Sequence, residues 1–299
     1  MKQALVMGAA AALRTYYNHV PLTAGKRAVW HRVVRRLARH DVPLIATTWF
    51  GARMNARLSD TIQRYLYFFG VWEPAITAYA ATMLRPGDTV IDVGANIGYD
   101  TLLAAHCVGP AGRVFAIEAS PSVHALLRCN LALNHVPQVT SYQMAVCAAA
   151  CRVPVYLHDP SNLGGTTIVP SVARDRSTTL EAMVDGKPLA EIVPRDALLN
   201  ARLIKIDVEG AEWPVVRGLI PYLAHLSPRT EILVEVNAAA LRDHGTTAAE
   251  FLRVFETAGF RAFSLPNVYS VDSYLKPASA TLEPLTGSEF EQLDIVFRR

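Results

Sequence analysis

Val90-Ile91-Asp92-Val93-Gly94-Ala95-Asn96-Ile97-Gly98-Tyr99-Asp100-Thr101 is the stretch that decides the fold. Thr89 to Val93 read as a buried strand interrupted only by Asp92, and the strand runs straight into a glycine-containing turn. After Gly98, Leu102-Leu103-Ala104-Ala105 changes to helical spacing. A strand, a glycine turn and a helix in that order let a ligand approach the backbone and the helix N-terminus. An acid in an otherwise apolar strand end is costly unless hydrogen-bonded, so Asp92 is expected to serve the turn or the ligand.

Downstream the chain alternates strand and helix. Strands are expected at Thr89–Val93, Arg113–Ile117, about Val139–Val146, Leu203–Val208, Glu231–Val236 and Arg261–Leu265, with a further short one at Val153–His158. Helices are expected after Gly98 to about Cys107, over Ser122–Leu133, from about Glu212 to Leu223 and over about Thr247–Ala258. Elements of this length in this order mean a mainly parallel sheet with helices on both faces. No helix separates Leu293–Phe297 from its neighbour, so that last strand should enter antiparallel, as a hairpin partner. Residues 159–200, rich in Gly, Pro, Ser and Asp, read as a long irregular insert.

Two cofactor classes use a glycine turn after the first strand. A dinucleotide site wants Gly-x-Gly-x-x-Gly, whereas Gly94-Ala95-Asn96-Ile97-Gly98 lacks the central glycine that admits a pyrophosphate. Glu118, at the end of the second strand, suits two ribose hydroxyls and is compatible with either class. The turn favours a nucleoside without phosphates.

These residues resemble the class I S-adenosylmethionine-dependent methyltransferases, and more narrowly the FkbM family. The resemblance rests on Asp92 to Gly98 with Thr101, on Leu203-Ile204-Lys205-Ile206-Asp207-Val208-Glu209-Gly210-Ala211-Glu212, and on Gly70-Val71-Trp72-Glu73, and covers roughly residues 60–265. It implies an α/β, Rossmann-like fold over residues 59–299: a mainly parallel seven-stranded sheet with an antiparallel last strand and helices on both faces; the basic helical extension expected over residues 1–58 has no clear counterpart in the family. It implies S-adenosylmethionine as cofactor, with Glu73, Asp92, Gly94, Ala95, Asn96, Gly98 and Glu118 around it. Thr101 would meet its carboxylate at the helix N-terminus, and Met144 and Ala145 would flank the adenine. Where many members carry an aromatic or small residue, this chain has Asp100.

Asp207 falls at the carboxyl end of the fourth strand, the rim where open α/β sheets bind ligands. Three carboxylates in six residues, Asp207, Glu209 and Glu212, repel one another and are hard to explain as core. Asp207 and Glu209 are the catalytic candidates, to favour the sulfonium or act as base. Glu212 is a substrate candidate, although acids in a first helical turn also suit the dipole. Glu235 and Asn237 lie on the same rim and would suit Mg²⁺, but no motif enforces a metal and a metal-free site is expected. The segment Asn162-Leu163-Gly164-Gly165 fits the family's loop over the active site, which makes His158 and Asn162 substrate-side candidates.

Apolar residues make up 51% and charged residues 18% of the 299, ample for a core and against disorder. Residues 1–70 hold 11 Lys/Arg against 2 Asp/Glu, the rest 18 against 24. Residues 1–80 look helical in several pieces. Over Arg27 to Arg39, Trp30, Val33, Val34 and Leu37 share one face and the basic residues cover the other, with Pro43 closing the helix. Such a helix suits an anionic membrane surface as a peripheral contact, while Ala4 to Leu13 is too short to span one. The four cysteines form no Cys-x-x-Cys pair, and core packing in a reducing, cytoplasmic compartment is expected. The expected activity is methylation of a hydroxyl on a sugar, polyketide or lipid-linked acceptor, with no nucleic-acid partner. Rival classes are an NAD-dependent oxidoreductase, against which the missing glycine argues, and a non-catalytic membrane-associated binding protein on the same fold.

Overall fold

A computed structural model describes residues 2–20, 23, 25–159, 161–175, 178–276 and 280–299; Pro160 and residues 176–177 of the 159–200 insert lie outside them. The central sheet holds β1 (Thr89–Val93), β2 (Arg113–Glu118), β3 (Val139–Gln143), β4 (Leu203–Ile206), β5 (Glu231–Asn237), β6 (Arg261–Ser264) and β7 (Gln292–Arg298). Their spatial order is β6-β7-β5-β4-β1-β2-β3, and a two-residue strand at Glu283–Pro284 adds an eighth, on the β6 edge. β1 pairs parallel with β2 and β4, and β7 runs antiparallel to both β5 and β6. The antiparallel last strand is therefore wedged between two neighbours rather than hung on one.

Every residue of β1 and β4 is buried, as central parallel strands covered on both faces require. Ile91, Val93, Ile204 and Ile206 pack with Val215, Val216 and Leu219 of the helix Glu212–Leu223 and with Phe251 and Phe255 of Ala248–Thr257. The alternate residues Val90 and Leu203 pack on the opposite face, against helices Pro74–Met83 and Tyr99–Val108. Asp92 and Lys205 share that second face by the period of two.

The structure departs from the sequence reading in several places. Residues 1–80 are not all helical: Pro43–Thr47 and Arg53–Arg57 form an antiparallel hairpin, so Pro43 opens a strand and the preceding helical run ends at Leu37. The insert is not irregular, because Thr178–Lys187 pairs antiparallel with Cys151–His158. The expected strand Val139–Val146 divides at Met144, whose N–H donates to the Glu118 carbonyl (3.1 Å), and Ala145–Val146 joins the second sheet. In the basic helix Trp30 and Val34 are buried, but Val33 is exposed. Of the cysteines only Cys147 is buried, and all four are free thiols.

Candidate active site

A cavity of about 520 Å³ opens at the carboxyl ends of β1, β2 and β4, within the size range of small-molecule sites. The turn after β1 forms one wall. Gly94 has φ +85°, and a Cβ there would fall 1.8 Å from the Asp207 carbonyl oxygen, so only glycine lets the turn lie against the end of β4. Asn96 adopts φ +49° and accepts the Ile97 N–H on its own Oδ1 (2.8 Å). Glu118 accepts the N–H of Asn96 on Oε2 and that of Ser120 on Oε1, both at 2.9 Å. Burial pushes its carboxyl up to about 7 against those two N–H groups. Each oxygen keeps a second lone pair for a hydroxyl donor.

Ala95, Met144 and Ala145 line the same cavity, as do Glu73, His158, Asn162, Asp207 and Glu209. Four expected residues do not. The Thr101 hydroxyl is fully buried and donates to Asp92 Oδ2 at 2.6 Å, so it is committed to Asp92 rather than offered to a ligand carboxylate. Asp92 lies behind the turn with Oδ1 unpartnered, and burial, opposed by Lys205, pushes it to about 6. Gly98 (φ +93°) opens the helix Tyr99–Val108, and a Cβ there would strike Leu127. Glu212 is buried and accepts the N–H groups of Gly210 (2.9 Å) and Val208 (3.3 Å) on Oε1. It holds the turn after β4 instead of facing an acceptor.

One end of the cavity is strongly acidic. Lys205, buried in the middle of the sheet, reaches Asp207 at 2.8 Å and Asp100 at 3.1 Å. Burial alone would pull its ammonium down, but Asp207, Asp100, Glu73 and Asp92 outweigh that and hold it well above its ordinary value. Glu235 lies beside Asp207 because β5 and β4 pair Val234 with Ile206. Burial, then Asp207 and Glu209, drive its carboxyl up to about 10. The Tyr269 hydroxyl donates to Glu73 Oε1 and lies 3.1 Å from Glu235 Oε1. Among the described residues four non-glycines have positive φ, and three of them, Glu73, Asn96 and Glu209, line this cavity. Backbone strain is thus concentrated where a ligand would bind, a pattern of functional sites.

The remaining wall is aromatic and looped. Tyr65, Trp72, Tyr269 and Tyr274 surround the mouth, with Tyr65 and Tyr274 rings 4.5 Å apart and Trp72 and Tyr269 rings 5.9 Å apart. The Asn162–Gly165 loop is tied down by Asp60, which accepts Leu163 N–H on Oδ2 while capping the helix Thr61–Phe69 through Gln63 N–H on Oδ1. His158 Nδ1 is buried beside this loop without a hydrogen-bond partner. The sequence reading did not single out Lys205, Tyr65, Tyr269, Tyr274 or Gln292. Lys205 carried a signal, a lysine inside the apolar run Leu203–Ile206, and Tyr65 lies on the amphipathic helix Thr61–Phe69, whereas Tyr269 and Tyr274 sit in a stretch with no informative period.

A family model described as Methyltransferase FkbM domain matches residues 92–262, more than half of the chain. The chain belongs to the FkbM methyltransferase family. The 31-O-demethyl-FK506 methyltransferase FkbM of Streptomyces tacrolimicus is 28% identical over 198 residues, 55% of this chain and 74% of that protein. A protein-L-isoaspartate O-methyltransferase of Aeropyrum pernix is 32% identical over 121 residues, 34% of this chain and 46% of its own. Across several curated relatives it matches, this chain spans about half their length. A solved structure of a methyltransferase FkbM from Methylobacillus flagellatus aligns with TM-score 0.43 and 12% identity, covering 80% of this chain and 53% of that one. Family membership makes S-adenosylmethionine the cofactor, and this site fits it: a buried carboxylate at the β2 end, a glycine turn against the cavity, and an acidic end for a cationic centre.

Proposed function

We propose that this FkbM-family chain methylates a hydroxyl oxygen on a sugar, polyketide or lipid-linked acceptor. The observation that carries it is one cavity shared by Glu118, the Gly94–Asn96 turn and the carboxylates Asp207 and Glu209. When bound, S-adenosylmethionine supplies a methyl on a sulfonium, and transfer leaves the sulfur–carbon electron pair on sulfur. Glu118 takes the ribose hydroxyls, and Met144 and Ala145 flank the base. Asp207 and Glu209 orient the acceptor hydroxyl and receive its proton. The aromatic mouth gives the acceptor an apolar or ring-stacking surface. Fixing donor and acceptor in one geometry is worth on the order of 7–11 kcal/mol. The relative named for 31-O-demethyl-FK506 supports an oxygen acceptor.

Calorimetry with S-adenosylhomocysteine is the test. Binding by the wild type, weakened at least about tenfold in Glu118→Ala, is expected, on the scale of a lost charge-assisted hydrogen bond. A wild type that binds nicotinamide dinucleotide and ignores S-adenosylhomocysteine would overturn the proposal.

A second reading concerns the membrane. No described helix is long and apolar enough to cross one, but Arg27, Arg32, Arg35, Arg36 and Arg39 are all exposed on the run from Lys26 to Arg39. Peripheral contact with anionic lipid would show as co-sedimentation with phosphatidylserine vesicles, lost with rising salt. Retention in the supernatant at low salt would discard it.

A further inference from the structure

We propose that Asp207, Glu209 and Glu235 bind a divalent cation of the oxygen-preferring class, Mg²⁺, Mn²⁺ or Ca²⁺. Each offers one carboxylate oxygen, and these atoms lie within 4.8 Å of one another. Oxygens on opposite sides of one such ion are about 4–5 Å apart, given metal–oxygen distances of about 2.0–2.6 Å. The spread is therefore that of a single coordination sphere. Asp207 and Glu209 follow β4 on one turn, and the β4–β5 pairing brings Glu235 beside Asp207 from a second stretch of chain. Two are already oriented by neutral or cationic donors: Lys205 holds Asp207 Oδ2 at 2.8 Å, and Gln292 Nε2 holds Glu235 Oε1 at 2.8 Å. That leaves Asp207 Oδ1 and Glu235 Oε2 as the oxygens for a ligand.

Acidic rims occur without ions, and a second, separate observation points to a cation here. Glu73, outside the triad, is only 4% exposed and lines the same cavity, yet its Oε2 has no hydrogen-bond partner. Its other oxygen shares the Tyr269 hydroxyl with Glu235, which puts it next to the triad. A buried carboxylate oxygen without a donor is costly and rare. A water carried by the ion, or an acceptor hydroxyl fixed on it, would supply the missing proton. Six acidic side chains, Glu73, Asp100, Glu118, Asp207, Glu209 and Glu235, line the cavity among the described residues, and Lys205 is the one Lys or Arg among them.

The ion's task rests on the methyl-transfer reading: it polarises the acceptor hydroxyl so that its proton passes more readily to solvent water, while Asp207 and Glu209 hold the ion instead of taking the proton themselves. Its location does not rest on it. The test is titration of the chelator-treated full chain with Mn²⁺ alone, following free Mn²⁺ by electron paramagnetic resonance. One Mn²⁺ per chain is expected, displaceable by Mg²⁺ or Ca²⁺, with affinity at least tenfold lower in Glu235→Gln and in Asp207→Asn. Bound Mn²⁺ should also broaden the proton signals of S-adenosylhomocysteine in the wild type. No uptake by the wild type, or equal uptake by wild type and both variants, overturns the site. Displacement of Mn²⁺ by a simple alkylammonium but not by Mg²⁺ or Ca²⁺ overturns it too, in favour of a cationic acceptor. Failure of S-adenosylhomocysteine to bind would instead strike the methyl-transfer reading and leave the Mn²⁺ result standing.

Discussion

Glu118 accepts two backbone N–H groups and is still pushed up to about 7, because burial outweighs both bonds. In the ligand-free chain, a carboxyl raised from its ordinary 4.5 holds a proton that the unfolded chain has lost. Stability from this group is therefore lost as pH rises from about 4.5 to 7. Under the proposed function ribose hydroxyls would donate to the ionised form, so binding would draw the proton off. The affinity for S-adenosylhomocysteine should rise between pH 5.5 and 7.5, by up to about tenfold per unit from this one group. Calorimetry on Glu118→Gln should show weaker binding with a flatter profile; an unchanged slope would remove Glu118 from the ribose. Gly94→Ala sets a second residue-scale expectation. A methyl 1.8 Å from the Asp207 carbonyl at φ +85° should cost about 3 kcal/mol in urea unfolding. Much of this was legible: Gly94 and Glu118 follow from a strand ending in a turn. Thr101 was misassigned because a motif gives proximity to a helix N-terminus but not the direction of a hydroxyl. Here the direction is set by Asp92, whose burial demands a donor.

At the scale of elements, the helix Thr61–Phe69 connects the basic extension to the acceptor side of the cavity. Asp60 caps it and also accepts Leu163 N–H at 2.9 Å, so one carboxylate fixes both a helix and the loop over the site. Asp60→Ala should cost about 1–2 kcal/mol as a lost cap. It should also weaken binding in the cavity, because Asn162, Leu163 and Gly164 of the freed loop line it and Gly164 lies against the Asn96 side chain. An unchanged Kd for S-adenosylhomocysteine together with an unchanged KM for the acceptor would mean that the loop governs neither. The alternation of strands and helices from residue 89 onward was readable because each central strand is buried on both faces. The hairpin at 43–57 was missed: Met54 and Ala56 turn inward between Arg53 and Arg57, but the Ala-rich and Arg-rich helices around it masked the period. The strand Thr178–Lys187 gave no such cue. Leu180 and Met183 are exposed on it, so its apolar residues do not mark a buried face. Its pairing depends on Cys151–His158, some twenty residues away in the sequence.

For the whole molecule, the basic extension shares a core with the methyltransferase fold. Trp30 packs edge-on to Tyr17 and Phe68 and at 4.7 Å from Tyr65, and Val6, Ala10 and Val34 join Leu66, Ile97 and Leu102 in the same cluster. Tyr65 in turn lines the cavity and lies against Tyr274. A ligand on the acceptor side therefore presses on a wall whose back is the N-terminal helices. Trp30→Ala removes a buried aromatic side chain and should cost about 3–5 kcal/mol, seen as one cooperative transition at lower denaturant. The consequence is asymmetric. S-adenosylhomocysteine, which the proposed function puts at the β1 and β2 ends, should bind the folded variant within about twofold of wild type, a difference of under 1 kcal/mol. The acceptor, held against Tyr65, should show a raised KM. Two separate unfolding transitions in the wild type, with cofactor shifting only the later one, would mean instead that the extension folds by itself and leaves the acceptor wall unsupported.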